Sequence, residues 1–310
     1  MHELLEVLTS TALYAAAIRL AVPVFLAALG ETFAERAGLV NVGLEAMMLA
    51  GAFGAILGAY LAGNWLVGVA VGLGFGLVVA AVQALFAIRL EADQIVSGIA
   101  LNIAVLGLTA FLARTIWDGG NVPQVDHTNA VSLPGLGDLP LLGPVLFQQN
   151  PLVYTTYLLA VVCWWLLVRT RWGLELRGCG EDPRACDSLG IPVLARRWHV
   201  MAVCGALAAL GGATIALAEL YTWADGMSGG RGFIALAVVI IARWSPSRAV
   251  LAALLFGGCE ALALRMQATT TAVPSELLLT LPYLVTLLVY AGVVGRTIPP
   301  AALGRPYIRK

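Results

Sequence analysis

The sequence predicts an all-α fold, a polytopic transmembrane bundle of about 8 to 10 spans, and three observations lead there. Of 310 residues, 60% are apolar and only 12% charged, whereas soluble domains carry about 25% charged residues. The mean hydropathy is +0.89. Apolar runs of about twenty residues, each long enough to cross ~30 Å of hydrocarbon, recur along the chain.

Taken in order, the runs lie near 8–29, 43–63, 65–88, 93–116, 151–169, 198–220, 231–244, 248–266 and 276–294. The first has neither the basic flank nor the small-residue cleavage site of a signal peptide, so it is expected to remain as a span. The seventh is short for a crossing at about 1.5 Å per residue, which predicts a broken or tilted helix. The whole chain, 1–310, reads as one transmembrane domain, with a hydrophilic loop at 170–197 and a tail at 295–310.

Arginine sets the orientation. The 117–150 loop holds Asp118, Asp126 and Asp138 without a basic residue, while 170–197 holds Arg171, Arg177, Arg184, Arg196 and Arg197. The first loop is expected outside and the second in the cytoplasm. The tail, with Arg296, Arg305, Arg309 and Lys310, belongs with the second, and nine crossings then put Glu3 and Glu6 outside.

Small residues recur every fourth position, at Ala46, Ala50, Gly54, Gly58 and Ala62 and again at Gly68, Gly72 and Gly76. Such stripes predict close backbone approach, within the subunit or at a dimer seam, with packing inside the subunit the favoured reading.

Two polar, Gly-containing segments interrupt the apolar pattern: Glu31–Glu45 and Tyr221–Arg231. Irregular backbone at membrane depth persists only where it is buried in protein or lines a cavity, so both are candidate helix breaks at a substrate site. The spans leading into them run in opposite directions, as an inverted repeat would require; two interfacial loops are the plainer alternative. Arg19, Glu45, Gln83, Asn102, Glu219, Glu260 and Arg265 fall in or beside apolar runs, where they must face protein or water.

In the 170–197 loop, five arginines mix with four acids, a pattern suited to a protein partner rather than to lipid alone. Asp182 as N-cap and Pro183 in the first turn start a two-turn helix that stops near Leu189, before Gly190.

Several chemistries find no support. The eighteen basic and eighteen acidic residues balance, leaving no patch for nucleic acid, and Lys310 is the sole lysine, so no P-loop exists. Cys163, Cys179, Cys186, Cys204 and Cys259 form no CxxC pair and read as structural. His2, His127 and His199 lie too far apart in sequence for a local metal motif. No metal site, catalytic residue or bound cofactor is expected.

Five ordered segments, AERAGLVNVGLEAMMLAGAF (34–53), LEADQIVSGIALNIA (90–104), GEDPRACDSLGI (180–191), GRGFIALAVVIIARWSP (230–246) and AALGRPY (301–307), resemble inner-membrane permeases of ATP-binding-cassette importers. The resemblance is to the branched-chain amino acid and ribose permease superfamily, in its nucleoside and simple-sugar branch, and covers nearly the whole chain. It implies a permease subunit in the cytoplasmic membrane of a prokaryote, with ATP used on a separate cytoplasmic ATPase. A second, longer homologous permease and an extracytoplasmic substrate-binding protein are the other implied partners. Gly180, Glu181, Pro183, Arg184, Ala185, Gly190 and Ile191 match the family's coupling loop; Asn41, Gly43, Glu45 and Asn102 match polar segments near its path. The resemblance favours nucleosides over simple sugars. An ion-coupled secondary transporter titrating Glu45, Glu219 or Glu260 is the alternative.

Overall fold

A computed structural model describes residues 10–117, 122–140, 142–269, 280, 284–285 and 298–308. The expected span at 276–294 lies outside the described residues apart from three positions.

The architecture is helical, as the composition requires. Helix α1 spans Thr11–Arg36, α2 Leu44–Ala62 and α3 Trp65–Ala84, which continues as a π-helical turn at Leu85–Arg89. Helix α4 spans Gln94–Ile116 and α5 Pro151–Arg169, separated by a loop with one two-residue strand pair, Val131–Ser132 against Gln148–Gln149. Helices α6 (Arg171–Glu181) and α7 (Pro183–Ser188) are short, α8 (Val193–Thr214) runs on as a π-helical turn at Ile215–Leu220, α9 is Arg231–Ile241, and α10 is Pro246–Thr269. Among the described residues, seven helices are long and apolar enough to cross a membrane, and α9 is a shorter apolar one.

Local chemistry starts the helices. The side chains of Ser10, Asn64, Asp93, Asn150, Thr170 and Asp182 each accept from an amide of the first turn they precede, an arrangement worth about 1 kcal/mol apiece.

Helices α1, α2 and α8 form the centre: 78% of the apolar window is buried within the chain in α2 and α8, against 22% in α4. Small residues make that density attainable. A Cβ on Gly72 would lie 2.6 Å from the Gly51 carbonyl, one on Gly68 2.6 Å from that of Ala55, and one on Gly30 2.9 Å from the Cys204 backbone. The two stripes therefore pack α2 against α3 inside this chain, the first of the two readings.

Two expectations change. The first polar interruption is shorter than its composition indicates, because Glu31–Arg36 stay helical and only Ala37–Gly43 leave the helix. Glu31 and Glu35 are buried and find acceptor roles inside the protein, Glu31 toward the Asn41 amide at 2.8 Å and Glu35 toward the Trp244 indole. The 170–197 segment is also more ordered than a loop with one helix, since α6 fills its first half and α8 begins already at Val193. The predicted helix within it stands, from Pro183 with Asp182 as N-cap to Leu189, before Gly190 at φ +80°.

Helix α9 and the break before it connect opposite ends of the bundle. Tyr221 accepts at its carbonyl from Val125 of the α4–α5 loop, 3.1 Å away, whereas the Trp244 carbonyl accepts from Arg36 at 3.0 Å, at the far end of α1. Eleven helical residues span only about 16 Å, so the irregular segment Tyr221–Gly230 supplies the remaining depth.

Candidate functional site

Backbone that leaves the helix while buried in protein costs about 1–3 kcal/mol per polar group unless the protein satisfies it. At the first break, α4 does so. Gln94 Oε1 accepts from the Val40 amide at 2.7 Å, Asn102 Nδ2 donates to the Val42 carbonyl at 2.9 Å, and Asn102 Oδ1 accepts from the Ala46 amide at 2.9 Å. Asn41 completes the set from within, its Oδ1 accepting from the Gly43 amide at 3.1 Å and its Nδ2 reaching Met47 and Cys204 sulfur, both at 3.3 Å. Gly98 lets α4 come this near: a Cβ there would lie 2.8 Å from the Gly43 nitrogen.

The second break is tied to the first by one side chain. Glu45, on the first turn of α2, accepts from Ser228 Oγ at 2.7 Å and the Gly230 amide at 2.8 Å through Oε1, and from the Gly232 amide at 2.7 Å through Oε2. A carboxylate on the exposed amides at the start of α9 is electrostatically favourable. Gly230, at φ +81°, adopts the left-handed turn that aims those amides at it. Before the break, Thr128 and Val125 amides bond the Leu217 and Tyr221 carbonyls at 3.0 and 3.1 Å, and His127 stacks on Tyr221 with ring centroids 4.2 Å apart.

Between these breaks lies a cleft of about 350 Å³, walled by Glu45, Asn102, Ile103, Leu106, Ser228 and Phe233 among others. Ile99, Ile103, Leu106 and Phe233 are exposed along it. Its three polar side chains are already engaged with protein, so the surface it offers is apolar. Of the residues expected near a path, Glu45 and Asn102 border the cleft, while Gly43 is buried beside them and Asn41 is fully buried behind.

The other acids of the bundle are also committed. Arg231 Nη2 lies 2.7 Å from Glu260 and 3.5 Å from Glu219, all three largely shielded from solvent.

The second group of expected residues collects at the far end of α1. Gly180 is buried where a Cβ would collide with the Arg36 carbonyl, and its own carbonyl accepts from the Ala302 amide at 2.9 Å. Glu181, Arg184, Ala185 and Gly190 are exposed, and Pro183 is half-buried at the first turn of α7. Ile191 packs on Cys179, Cys186 and Val193. Burial pushes the Cys179 thiol up to about 12, with Cys186 beside it adding to the effect.

Gln94 and Ser228, which have structural parts at the two breaks, were not singled out by the sequence, and Arg197 was read there only as one of the charges of the 170–197 segment. Gln94 carried a usable signal, an amide directly after the Asp93 N-cap and within reach of a break.

A family model described as branched-chain amino acid transport system / permease component matches residues 13–290. The chain is 35% identical to the guanosine ABC transporter permease protein NupQ of Bacillus subtilis, over 93% of this chain and 94% of that one. It is 34% identical to a putative glucose ABC transporter permease protein, TsgC13, of Haloferax volcanii, over 95% and 97%. With the nucleoside ABC transporter permease protein NupC of Lactococcus lactis it shares 35% identity over 93% of each. A further Bacillus subtilis guanosine permease protein, NupP, is 27% identical over 84% of this chain and 75% of its own. No solved structure matches.

Proposed function

The chain belongs to the branched-chain amino acid transport permease family, and on that premise we propose that it passes a nucleoside along the cleft between α4 and the α8–α9 break. It is a permease subunit of an ATP-binding-cassette importer, a multi-pass membrane protein that performs no chemistry on its cargo. ATP is hydrolysed on a separate subunit, and a second homologous permease is its partner, as the paired guanosine permeases of Bacillus subtilis indicate.

The observation that carries the substrate reading is the apolar character of the cleft. Glu45, Asn102 and Ser228 spend their hydrogen bonds on protein, which leaves Ile99, Ile103, Leu106 and Phe233 facing outward. A surface of this kind suits the flat face of a base. A hexose, hydroxylated all round and without an aromatic face, would leave more polar groups unpaired there than a nucleoside with its single ribose, at a cost of about 1–3 kcal/mol each. The cleft is open on one flank and its volume, about 350 Å³, falls at the small end of ligand sites, about 300–1,000 Å³; the second permease closes it.

In this reading Gly180, Glu181, Pro183, Arg184, Ala185, Gly190 and Ile191 form the coupling site for the ATPase, and no cofactor resides on this chain. The coupling site and the tail share the cytoplasmic side, supported by their common arginine content and by the bond between Ala302 and Gly180. A substrate-binding protein delivers cargo at the opposite face. ATP binding closes the ATPase, α7 moves with it, and the two permeases exchange outward and inward openings about the breaks. The test is uptake of labelled guanosine and glucose by proteoliposomes holding the full importer. Guanosine uptake that needs ATP and survives collapse of ion gradients is expected; glucose uptake alone would overturn the substrate assignment.

A further inference from the structure

Residues 301–308 lie against the coupling loop rather than apart from it. Their backbone is fixed at four points: the Ala302 amide on the Gly180 carbonyl at 2.9 Å, the Gly304 amide on the Gly38 carbonyl at 3.1 Å, the Ala301 amide on Glu181 Oε2 at 3.2 Å, and the Arg305 carbonyl on Arg197 Nη1 at 3.1 Å. Arg197 is a buried arginine, 1% exposed, so this last anchor reaches into the bundle. Tyr307 packs on the Cys179, Cys186 and Val193 cluster beneath α7. A segment so held presents a defined surface.

That surface faces a cleft of about 490 Å³, with Glu181, Asp182, Pro183 and Arg184 on one wall and Ala301, Ala302, Arg305, Pro306, Tyr307 and Ile308 on the other. Both acids of the cleft have inward duties, Glu181 toward Ala301 and Asp182 as the N-cap of α7. Glu181 and Asp182 are exposed too, but their carboxylates are bonded to backbone amides; among the described residues Arg184 and Arg305, one on each wall, are the charged side chains of the cleft without such a bond, with Ile308 58% exposed beside them.

We infer that residues 301–308 form the second wall of the ATPase-docking cleft, which receives an acidic segment of that subunit between Arg184 and Arg305, with an apolar side chain against Ile308. The inference rests on the reading of α7 as the coupling helix and extends it. Two arginines across a cleft favour a carboxylate-bearing partner and set its register. The same segment bonds Gly38 in the first helix break, so displacement of the cleft by the ATPase passes to the α1–α2 break through Gly304.

The experiment co-expresses tagged permease with its ATPase and companion permease and measures ATPase retained in the purified complex. Arg305→Glu with Ile308→Asp, both exposed, is expected to lower retention roughly tenfold or more, as Arg184→Glu does. Wild-type retention in the double variant together with loss in Arg184→Glu overturns this inference and leaves the coupling helix standing. Wild-type retention in both overturns the two readings together. Wild-type retention with reduced binding of the purified variant to phosphatidylglycerol vesicles assigns the segment to a lipid surface and also overturns the inference. If the double variant lowers permease yield, Ile308→Cys with a short bifunctional maleimide decides: an adduct with the ATPase supports docking, and its absence while Arg184→Cys forms one contradicts it.

Discussion

The Glu45 carboxylate and the Gly232 amide, 187 positions apart in the chain, are joined by a 2.7 Å hydrogen bond. With the bonds to Gly230 and Ser228, it makes one side chain of α2 the N-terminal cap of α9, and so links the two helix breaks that face the cleft. Glu45→Ala removes an acceptor of three hydrogen bonds and is expected to destabilise the protein by about 2–4 kcal/mol. Glu45→Gln, which keeps one carbonyl acceptor, should lose less. Thermal unfolding in detergent orders the three proteins; equal midpoints would contradict the capping role.

Asn102→Leu leaves the Ala46 amide and the Val42 carbonyl without their side-chain partner inside the protein. The expected loss is about 2–4 kcal/mol. Ile103→Leu on the neighbouring exposed position serves as the neutral comparison. Unfolding curves that coincide for the two variants would show that the first break does not depend on α4.

The Arg231 cluster predicts a non-additive series. Arg231→Met strands Glu219 and Glu260 in a largely dry environment and should cost about 3–5 kcal/mol. Adding Glu219→Gln and Glu260→Gln to the same chain should recover most of it. ATP-driven uptake in that triple variant should persist, because these acids hold an ion pair and carry no coupling ion. Uptake abolished in a folded triple variant would revive the ion-coupled alternative.

Gly72→Leu drives a side chain at the Gly51 carbonyl, 2.6 Å from where its Cβ would sit. The expected result is a permease that accumulates poorly even without its companion subunit. A variant that folds alone and fails only in pairing would move the stripe to the subunit seam.

At the α6–α7 end of the bundle the Cys179 thiol is raised from its ordinary value near 9 to about 12 by burial. The folded state thus holds its proton more firmly than the unfolded chain does. The contribution is intact below pH 9 and falls as pH rises above it, toward 12. Wild-type stability should therefore decline above pH 9 more steeply than that of Cys179→Ala, measured by thermal unfolding across pH 8 to 10.

Much of this was legible in sequence wherever the signal is local. The α7 helix could be read because Asp182, Pro183 and Gly190 are its own start and stop signals, and the second break because glycines cluster at 226–230. The extent of α1 could not be read. Glu31 and Glu35 look like interface residues by composition, and their partners Asn41 and Trp244 lie 10 and 209 positions away. Gln94 escaped for the same reason, since its acceptor role is defined by Val40, 54 positions distant. Asn102 and Glu45 could be picked out as polar groups in apolar runs, but which backbone groups they satisfy is a property of the fold.

Ile103→Trp is the most direct test of a transport path through the cleft between α4 and α9. Ile103 is 68% exposed on the cleft wall, so a larger ring fills the path without displacing core. In proteoliposomes containing the complete importer, ATP-driven guanosine uptake should fall by about tenfold or more while ATPase retention and thermal stability stay at wild-type values. Full uptake by a folded, assembled Ile103→Trp importer would place the path elsewhere.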